Sequence, residues 1–247
     1  MQQRKRPGGD GGLGYYTSWE KSIGNGCIYC GKPATTREHV PSKAFLYEPF
    51  PENLPTMPAC FDCNNGYSND EKYVACFLDV LKNRIYYDYA CQESTAQRLE
   101  KDSALKNLLD ESIRTSNGKV FFEVDENRLC RILLKLARGH AGFEFDYVNF
   151  DDAEIKIWYD FLFNIPEDVL LEFNRIPESQ LFPEVGSRSC TTPFIVQNVK
   201  TGEARTFMFW NDVQEHQYRY QVSLNDSGGI CVKIIIFEFL YCRIDFD

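Results

Sequence analysis

Two pairs of cysteines, Cys27/Cys30 and Cys60/Cys63, each stand in a C-x2-C spacing. Each pair puts two thiolates on one turn, and two such turns complete a tetrahedral sulfur site for zinc. A redox dithiol accounts for one pair in a thioredoxin-like setting but not for two linked pairs. The set therefore predicts a structural Zn2+. Between the pairs lies Thr36-Arg37-Glu38-His39-Val40-Pro41, and Asn64 follows Cys63 directly. A metal that ties Cys30 to Cys60 folds the intervening chain back and brings Glu38 and His39 near Asn64. A carboxylate and an amide oxygen are hard ligands suited to Mg2+ or Mn2+. An adjacent imidazole is suited to deprotonating water. That set fits phosphodiester hydrolysis, in which a divalent ion stabilises the phosphoryl oxygens and the leaving alkoxide while a base makes the nucleophile. Arg37 and Lys43 flank the loop and are candidates for holding the scissile phosphate, with a solvated surface charge the equal alternative for each.

The run C-I-Y-C-G-K…E-H-V-P…E-N-L…C-F-D-C-N resembles the HNH (ββα-metal) endonucleases that carry a zinc-bound treble clef. The resemblance covers about residues 24–85. It implies His39 as the general base and Glu38 and Asn64 as ligands of a catalytic Mg2+ or Mn2+. It also implies Asn53, in Glu52-Asn53-Leu54, as the buttress of the base loop, with the four cysteines holding zinc away from the chemistry. The substrate so implied is DNA, cut to leave a 5′-phosphate and a 3′-hydroxyl. Glu stands at position 38 where the family more often has Asp, and Asn at 64 where many members have His.

The elements that must position these groups are readable from periodicity. Residues 1–15 are polar and glycine-rich and read as a flexible arm. Residues 16–90 are assigned to the zinc-stapled module, and 91–247 to a helical and antiparallel-sheet domain of unknown role, an α+β chain overall. Tyr73, Cys76, Phe77, Val80 and Leu81 repeat at helical spacing, with Ser68 or Asn69 as cap. Further helices are expected over about 93–114, stopping near Asn117-Gly118; over 126–139, stopping at Arg138-Gly139; and over 151–164, with Ile155, Trp158, Tyr159 and Leu162 on one face. Beyond about 190, Phe194/Val196, Phe207/Phe209, Tyr218/Tyr220/Val222 and Ile230/Val232/Ile234/Ile236 alternate as strands, with turns at Thr201-Gly202 and Asn225–Gly229.

Three groups outside the loop read as structural. Cys76, Cys91, Cys130, Cys190, Cys231 and Cys242 sit mostly in apolar surroundings and behave as small hydrophobes. His140 follows Arg138-Gly139, where a charged imidazole near helix-terminal carbonyls is favoured by the dipole. His216 precedes Tyr218-Arg219-Tyr220, whose spacing of two fits half-buried strand positions better than a base-stacking surface.

The 247 residues carry 27 Lys+Arg against 36 Asp+Glu, a net charge of -9, and are 43% hydrophobic. This composition excludes a wholly disordered chain. No run approaches the roughly 20 apolar residues of a membrane span, and no secretory leader is visible, so a cytoplasmic setting without membrane contact is expected. Residues 1–90 hold ten charges of each sign, so the acidic excess falls wholly in 91–247. Bulk charge thus leaves room for a nuclease that binds DNA locally or borrows affinity from a protein partner or a second copy. Arg4-Lys5-Arg6 could touch phosphates as a mobile arm. The leading expectation is a metal-dependent DNA endonuclease. The alternatives are a non-catalytic zinc module that recognises nucleic acid or protein, and a nuclease subunit of a larger assembly such as a host-defence system.

Overall fold

The computed structural model describes residues 26–152, 155–179, 183–184, 186–191 and 194–247. The expected arm over residues 1–15 lies outside the described residues. The chain is mixed α+β. It begins with a two-stranded antiparallel hairpin, β1 (Thr36–His39) and β2 (Thr56–Ala59), whose connection carries a 3-10 turn at Lys43–Phe45. Two abutting helices follow, α1 (Phe61–Gly66) and α2 (Ser68–Ile85), then α3 (Glu93–Lys101) and α4 (Ser103–Ser112). A hairpin of β3 (Ile113–Ser116) and β4 (Lys119–Phe122) leads into the long α5 (Glu126–Phe145).

The remainder is built around β5 (Ile155–Phe161), α6 (Glu167–Phe173) and seven further strands. These are β6 (Glu178–Ser179), β7 (Phe194–Gln197), β8 (Ala204–Phe207), β9 (Asn211–Gln214), β10 (Tyr218–Leu224), β11 (Ile230–Ile236) and β12 (Leu240–Phe246). Five of the strands form an antiparallel sheet in the order β5-β12-β11-β10-β9, and β6-β8-β7 form a small separate one. Among the described residues no helix is long and apolar enough to cross a membrane.

The main core lies between the large sheet and the α2/α5 pair. Phe45, Tyr73, Phe77, Leu129, Leu133, Ile234 and Phe246 all belong to one buried cluster, which draws on both sides of residue 90. Because β11 is covered on both faces, Ile230, Val232, Ile234 and Ile236 are buried on one side and Cys231 and Ile235 on the other. Phe173 of α6 and Tyr241 pack against Ile235 on that second face. A smaller cluster of Cys27, Ile28, Tyr29, Val40, Met57, Ala59, Cys60 and Phe143 seats the hairpin on the end of α5.

Four expectations are corrected. Residues 155–161 form a strand, not a helix: Ile155, Ile157, Tyr159 and Phe161 alternate inward against β12. Of the residues that fit helical spacing only Ile155 and Tyr159 share this face, while Trp158 packs on the other against Phe173 and Leu162 lies past the strand end; a run of β-branched and aromatic side chains favours the pleat. The helix expected over 93–114 is two helices, because Asp102 turns the chain and caps α4, accepting Leu105 N–H at 3.0 Å. Asn117-Gly118 is then the two-residue turn of the β3–β4 hairpin, both residues at positive φ. Neither Ser68 nor Asn69 caps α2: Ser68 is its first residue, and its hydroxyl bonds back to Asn65 O at 2.8 Å.

The fourth correction positions the site. α5 does not stop at Arg138-Gly139 but runs to Phe145 and closes on Asp146 at φ 53°. Gly139 and Gly142 are there for close approach. A methyl on Gly139 would stand 3.3 Å from Val40 Cγ2, and one on Gly142 would overlap Ile28 Cδ1 and meet Met57 Cε at 3.2 Å. The two glycines thus form the seat on which the hairpin module sits. Gly142→Val is expected to lower stability by about 2–3 kcal/mol through overpacking, which outweighs the few tenths of a kcal/mol that valine gains over glycine in helix propensity. An unchanged urea midpoint would show that the seat is soft.

Of the six cysteines read as core residues, Cys76, Cys231 and Cys242 are buried, while Cys91, Cys130 and Cys190 are only partly so. His140 is structural for a different reason from the one expected. It lies inside α5, fully buried, with Nε2 2.8 Å from Tyr218 Oη and its ring stacked on Tyr220 at 3.7 Å. Burial, reinforced by the Arg188 cation, holds its pKa well below the usual 6.5, so it is neutral and draws nothing from a helix dipole. Tyr220 in turn donates to Glu144. Tyr218 and Tyr220 are wholly buried against α5, while Arg219 turns outward to Glu238. His216 is exposed beside Glu215, at φ 58° in the β9–β10 turn.

As pH falls, protons bind the unfolded His140 before the folded one. Its contribution is therefore complete above about pH 6.5 and is lost as pH drops toward the lowered folded value. His140→Gln should flatten that part of the stability curve, whose slope for one proton is at most about 1.4 kcal/mol per pH unit. Parallel wild-type and variant curves between pH 7 and 5 would contradict the assignment.

Candidate metal centre and the Glu38-His39 strand

Cys27 and Cys30 sit on a tight turn closed by Cys27 N–H to Lys32 O at 2.7 Å and Gly31 N–H to Cys27 O at 2.8 Å. Gly31 follows the second cysteine at φ 71°, a conformation glycine adopts without strain. The second pair rides on a helix start: Cys60 is the N-cap of α1 and Cys63 lies in its first turn. Each turn also aims a backbone N–H at a sulfur, Tyr29 N–H at Cys27 Sγ and Cys63 N–H at Cys60 Sγ, both at 3.4 Å.

The four sulfurs lie within 4.8 Å of one another, and Cys30 Sγ is 3.7 Å from Cys60 Sγ. A disulfide would bring two of them to about 2.05 Å, and all four thiols are free. A tetrahedron with arms of about 2.3 Å has edges of about 3.8 Å. The four cysteines are therefore close enough to bind a metal ion, and their spacing is compatible with structural zinc. The Cys63 N–H bond lowers the Cys60 thiol to about 7, which readies it as a thiolate ligand. Burial raises the Cys27 thiol, so ionising it needs a cation alongside.

The β1–β2 register sets Glu38 opposite Met57 and His39 opposite Thr56. Arg37 reaches across the hairpin, Nε to Thr56 Oγ1 and Nη2 to Thr56 O, both at 2.8 Å. Its guanidinium thus locks the strands together at two of its nitrogens. Asn64, one residue past the last cysteine, donates from Nδ2 to Thr36 Oγ1 at 3.1 Å and to Arg37 O at 3.4 Å. α1 is in this way fastened to the strand that carries Glu38 and His39.

His39 is half-buried and borders a small cleft with Tyr29, Pro41, Ser42, Lys135 and Gly139. Burial lowers its pKa, and the Lys43 cation lowers it further, which leaves the imidazole neutral near pH 7. Lys43 itself is exposed, its ammonium 4.9 Å from the centre of the Phe50 ring. Asn53 is exposed, and its backbone carbonyl accepts from Arg188 Nη2 at 3.4 Å.

Glu38 points into the interior, where only 8% of the residue is exposed. Its Oε1 accepts from Lys135 Nζ at 3.0 Å, and the same ammonium bonds Glu71 of α2. Burial raises the Glu38 pKa, Lys135 opposes that, and Glu71 adds to it. The ammonium also lies 5.2 Å from the Tyr67 ring and 5.9 Å from the Tyr29 ring.

Sequence reasoning missed Lys135, Glu71 and the two seat glycines. A signal for the first two exists. Arg128, Arg131, Lys135 and Arg138 form a basic stripe at helical spacing on α5. All four of these bases meet acids that the stripe would have called for: Arg128 pairs with Asp70 at 3.5 Å and Asp125 at 3.4 Å, Arg131 bonds Asp70, Lys135 bonds Glu71, and Arg138 bonds Asp152 at 2.5 Å.

Comparison of the chain with protein-family models, with curated proteins and with solved structures found no match.

Proposed function

We propose that the protein is a metal-dependent endonuclease of the HNH type that hydrolyses phosphodiester bonds of DNA. The observation that carries this reading is the order and attachment of four pieces: a cysteine turn, a hairpin whose first strand ends in Glu38-His39, a helix begun by Cys60 and Cys63, and Asn64 bonded back to that strand. A hairpin followed by a helix is the ββα order of that family, and the sulfur cluster supports the accompanying treble-clef zinc. Here zinc ties the helix start to the cysteine turn and so fixes where Asn64 meets β1.

In this reading His39, neutral near pH 7, takes the proton from the attacking water at a ring nitrogen. Lys43, whose charge His39 already feels, offers an exposed cation for the scissile phosphate. Arg37 acts on the same loop by holding its strands. Glu38 and Asn64 would hold the divalent ion, Glu38 through the oxygen that Lys135 does not occupy, and that ion when bound neutralises charge on the phosphoryl oxygens.

One observation favours a second reading. The Glu38 carboxylate already has a buried ammonium as counter-ion, which would suit a zinc-stapled module that recognises nucleic acid or protein without cutting it. Incubating zinc-loaded protein with supercoiled plasmid, with and without Mg2+ or Mn2+, separates the two. Nicked or linear product that appears only with the ion supports the nuclease; retention of plasmid that is insensitive to the ion, with no product, supports the recognition module.

A further inference from the structure

The outermost strand of a sheet leaves backbone N–H and C=O groups unspent, and natural chains blunt such edges with charge, proline, bulges or brevity. In this chain β6 is two residues long and carries Glu178, β5 carries Lys156 and Asp160, and β9 carries Asp212 and shifts register against β10 between Tyr218 and Arg219. The strands of the two hairpins each hold a charge or a proline as well. Among the described residues β7 is the exception. Its residues, Phe194-Ile195-Val196-Gln197, include neither, and it stands at the end of the order β6-β8-β7. All of them are exposed, with Phe194 and Ile195, on opposite faces of the strand, at 55% each. The register fixes which backbone groups face outward. Asn198 N–H bonds Glu203 O at 2.8 Å, so alternation turns the groups of Phe194 and Val196 toward β8 and those of Ile195 and Gln197 away from it.

We propose that β7 pairs antiparallel with β7 of a second copy of this chain, joining the two small sheets into one. What fits beside β7 is a strand that is uncharged and apolar on both faces, and β7 itself is such a strand. About a two-fold axis through Val196, Ile195 of one copy meets Gln197 of the other, and the outward N–H and C=O groups of both are spent. Charge does not oppose the pairing, although the whole chain carries -9. The β7–β8 hairpin holds Lys200, Glu203 and Arg205, and Arg205 lies 3.4 Å from Glu203 and 3.7 Å from Glu178. The copies therefore meet over a nearly neutral surface. One short strand from each copy makes a small interface, below about 1,200 Å² in total, so the dimer is weak and depends on concentration. The pairing stands or falls apart from DNA cleavage.

The test is the mass of the full-length, zinc-loaded protein in solution, read by sedimentation equilibrium up to about 500 µM, well above the micromolar constants of the weakest standard-size interfaces. The mass should rise from one chain toward two. Gln197→Pro removes an outward N–H that β8 does not use, a loss that an edge strand tolerates. Ile195→Lys puts an ammonium group into the seam from each copy, as natural edges do to prevent pairing. Each variant is expected to raise the dimer dissociation constant tenfold or more, with far-ultraviolet dichroism and melting temperature near wild type. Leu171→Lys, at a residue 70% exposed on α6, should associate as wild type does. Wild type that remains a single chain at the highest concentration overturns the proposal and leaves the edge to a strand of another protein. Dimers that folded β7 variants form as readily as wild type overturn it equally, and loss of association in Leu171→Lys alone would put the contact on α6 instead. If one β7 variant does not fold, the other decides.

Discussion

His39→Ala is expected to abolish metal-dependent DNA cleavage, by about 10²–10⁴-fold, the range set by loss of a positioned general base. The side chain is half-buried and no hydrogen bond from it holds the fold among the described residues, so zinc content and melting temperature should stay near wild type. The pH profile of kcat/KM gives an independent readout. Burial and the Lys43 cation lower the imidazole pKa below 6.5, so the active, neutral form persists to lower pH than for a free histidine. The wild-type rate should rise from acid and level off with a midpoint below 6.5. Lys43→Gln removes one of the two causes and should move that midpoint upward. A variant lacking His39 that cleaves as fast as wild type would remove the base from the account.

The second large effect concerns the sulfur cluster. Cys60→Ser keeps an N-cap oxygen for α1, since serine caps helices well, and so isolates loss of a metal ligand from loss of a cap. Structural zinc in small modules contributes about 10–16 kcal/mol of apparent binding energy, and the hairpin's own cluster is too small to replace it: eight buried residues, two of them ligands. The variant is expected to lose its zinc and to open residues 26–67 to proteolysis. The sheet and α5 should stay folded on the larger core, to whose buried members residues 26–67 contribute only Phe45 and Leu46. Cleavage should disappear with the zinc, because Asn64 meets β1 only through α1. A Cys60→Ser protein that melts like wild type and resists protease would show that the hairpin stands without the metal.

What was legible in the sequence is what depends on local chemistry. Ligand spacing, the trailing Asn64 and the alternation in β10 and β11 each involve a few neighbouring residues, and all three appear where spacing puts them. Long-range partnership was not legible. Glu38 reads as a free carboxylate beside a histidine, and nothing within ten residues reveals that Lys135, 97 positions away, holds it. Gly139 reads as a helix stop because glycine usually is one past a periodic run; only the docked hairpin shows that it is there to let Val40 and Tyr29 approach. The strand at 155–161 failed for a different reason: Ile155 and Tyr159 belong to both periods, and the antiparallel pairing with β12 decides between them.

The central claim is that the Glu38-His39 strand, fixed by zinc and α1, hydrolyses DNA. The most direct measurement is cleavage of supercoiled plasmid by purified protein containing one zinc per chain, run beside His39→Ala, with the product ends typed. The account predicts nicking only when Mg2+ or Mn2+ is added, 5′-phosphate and 3′-hydroxyl ends, and no product from the variant. Intact plasmid under every metal condition, or equal cleavage by wild type and variant, would contradict it.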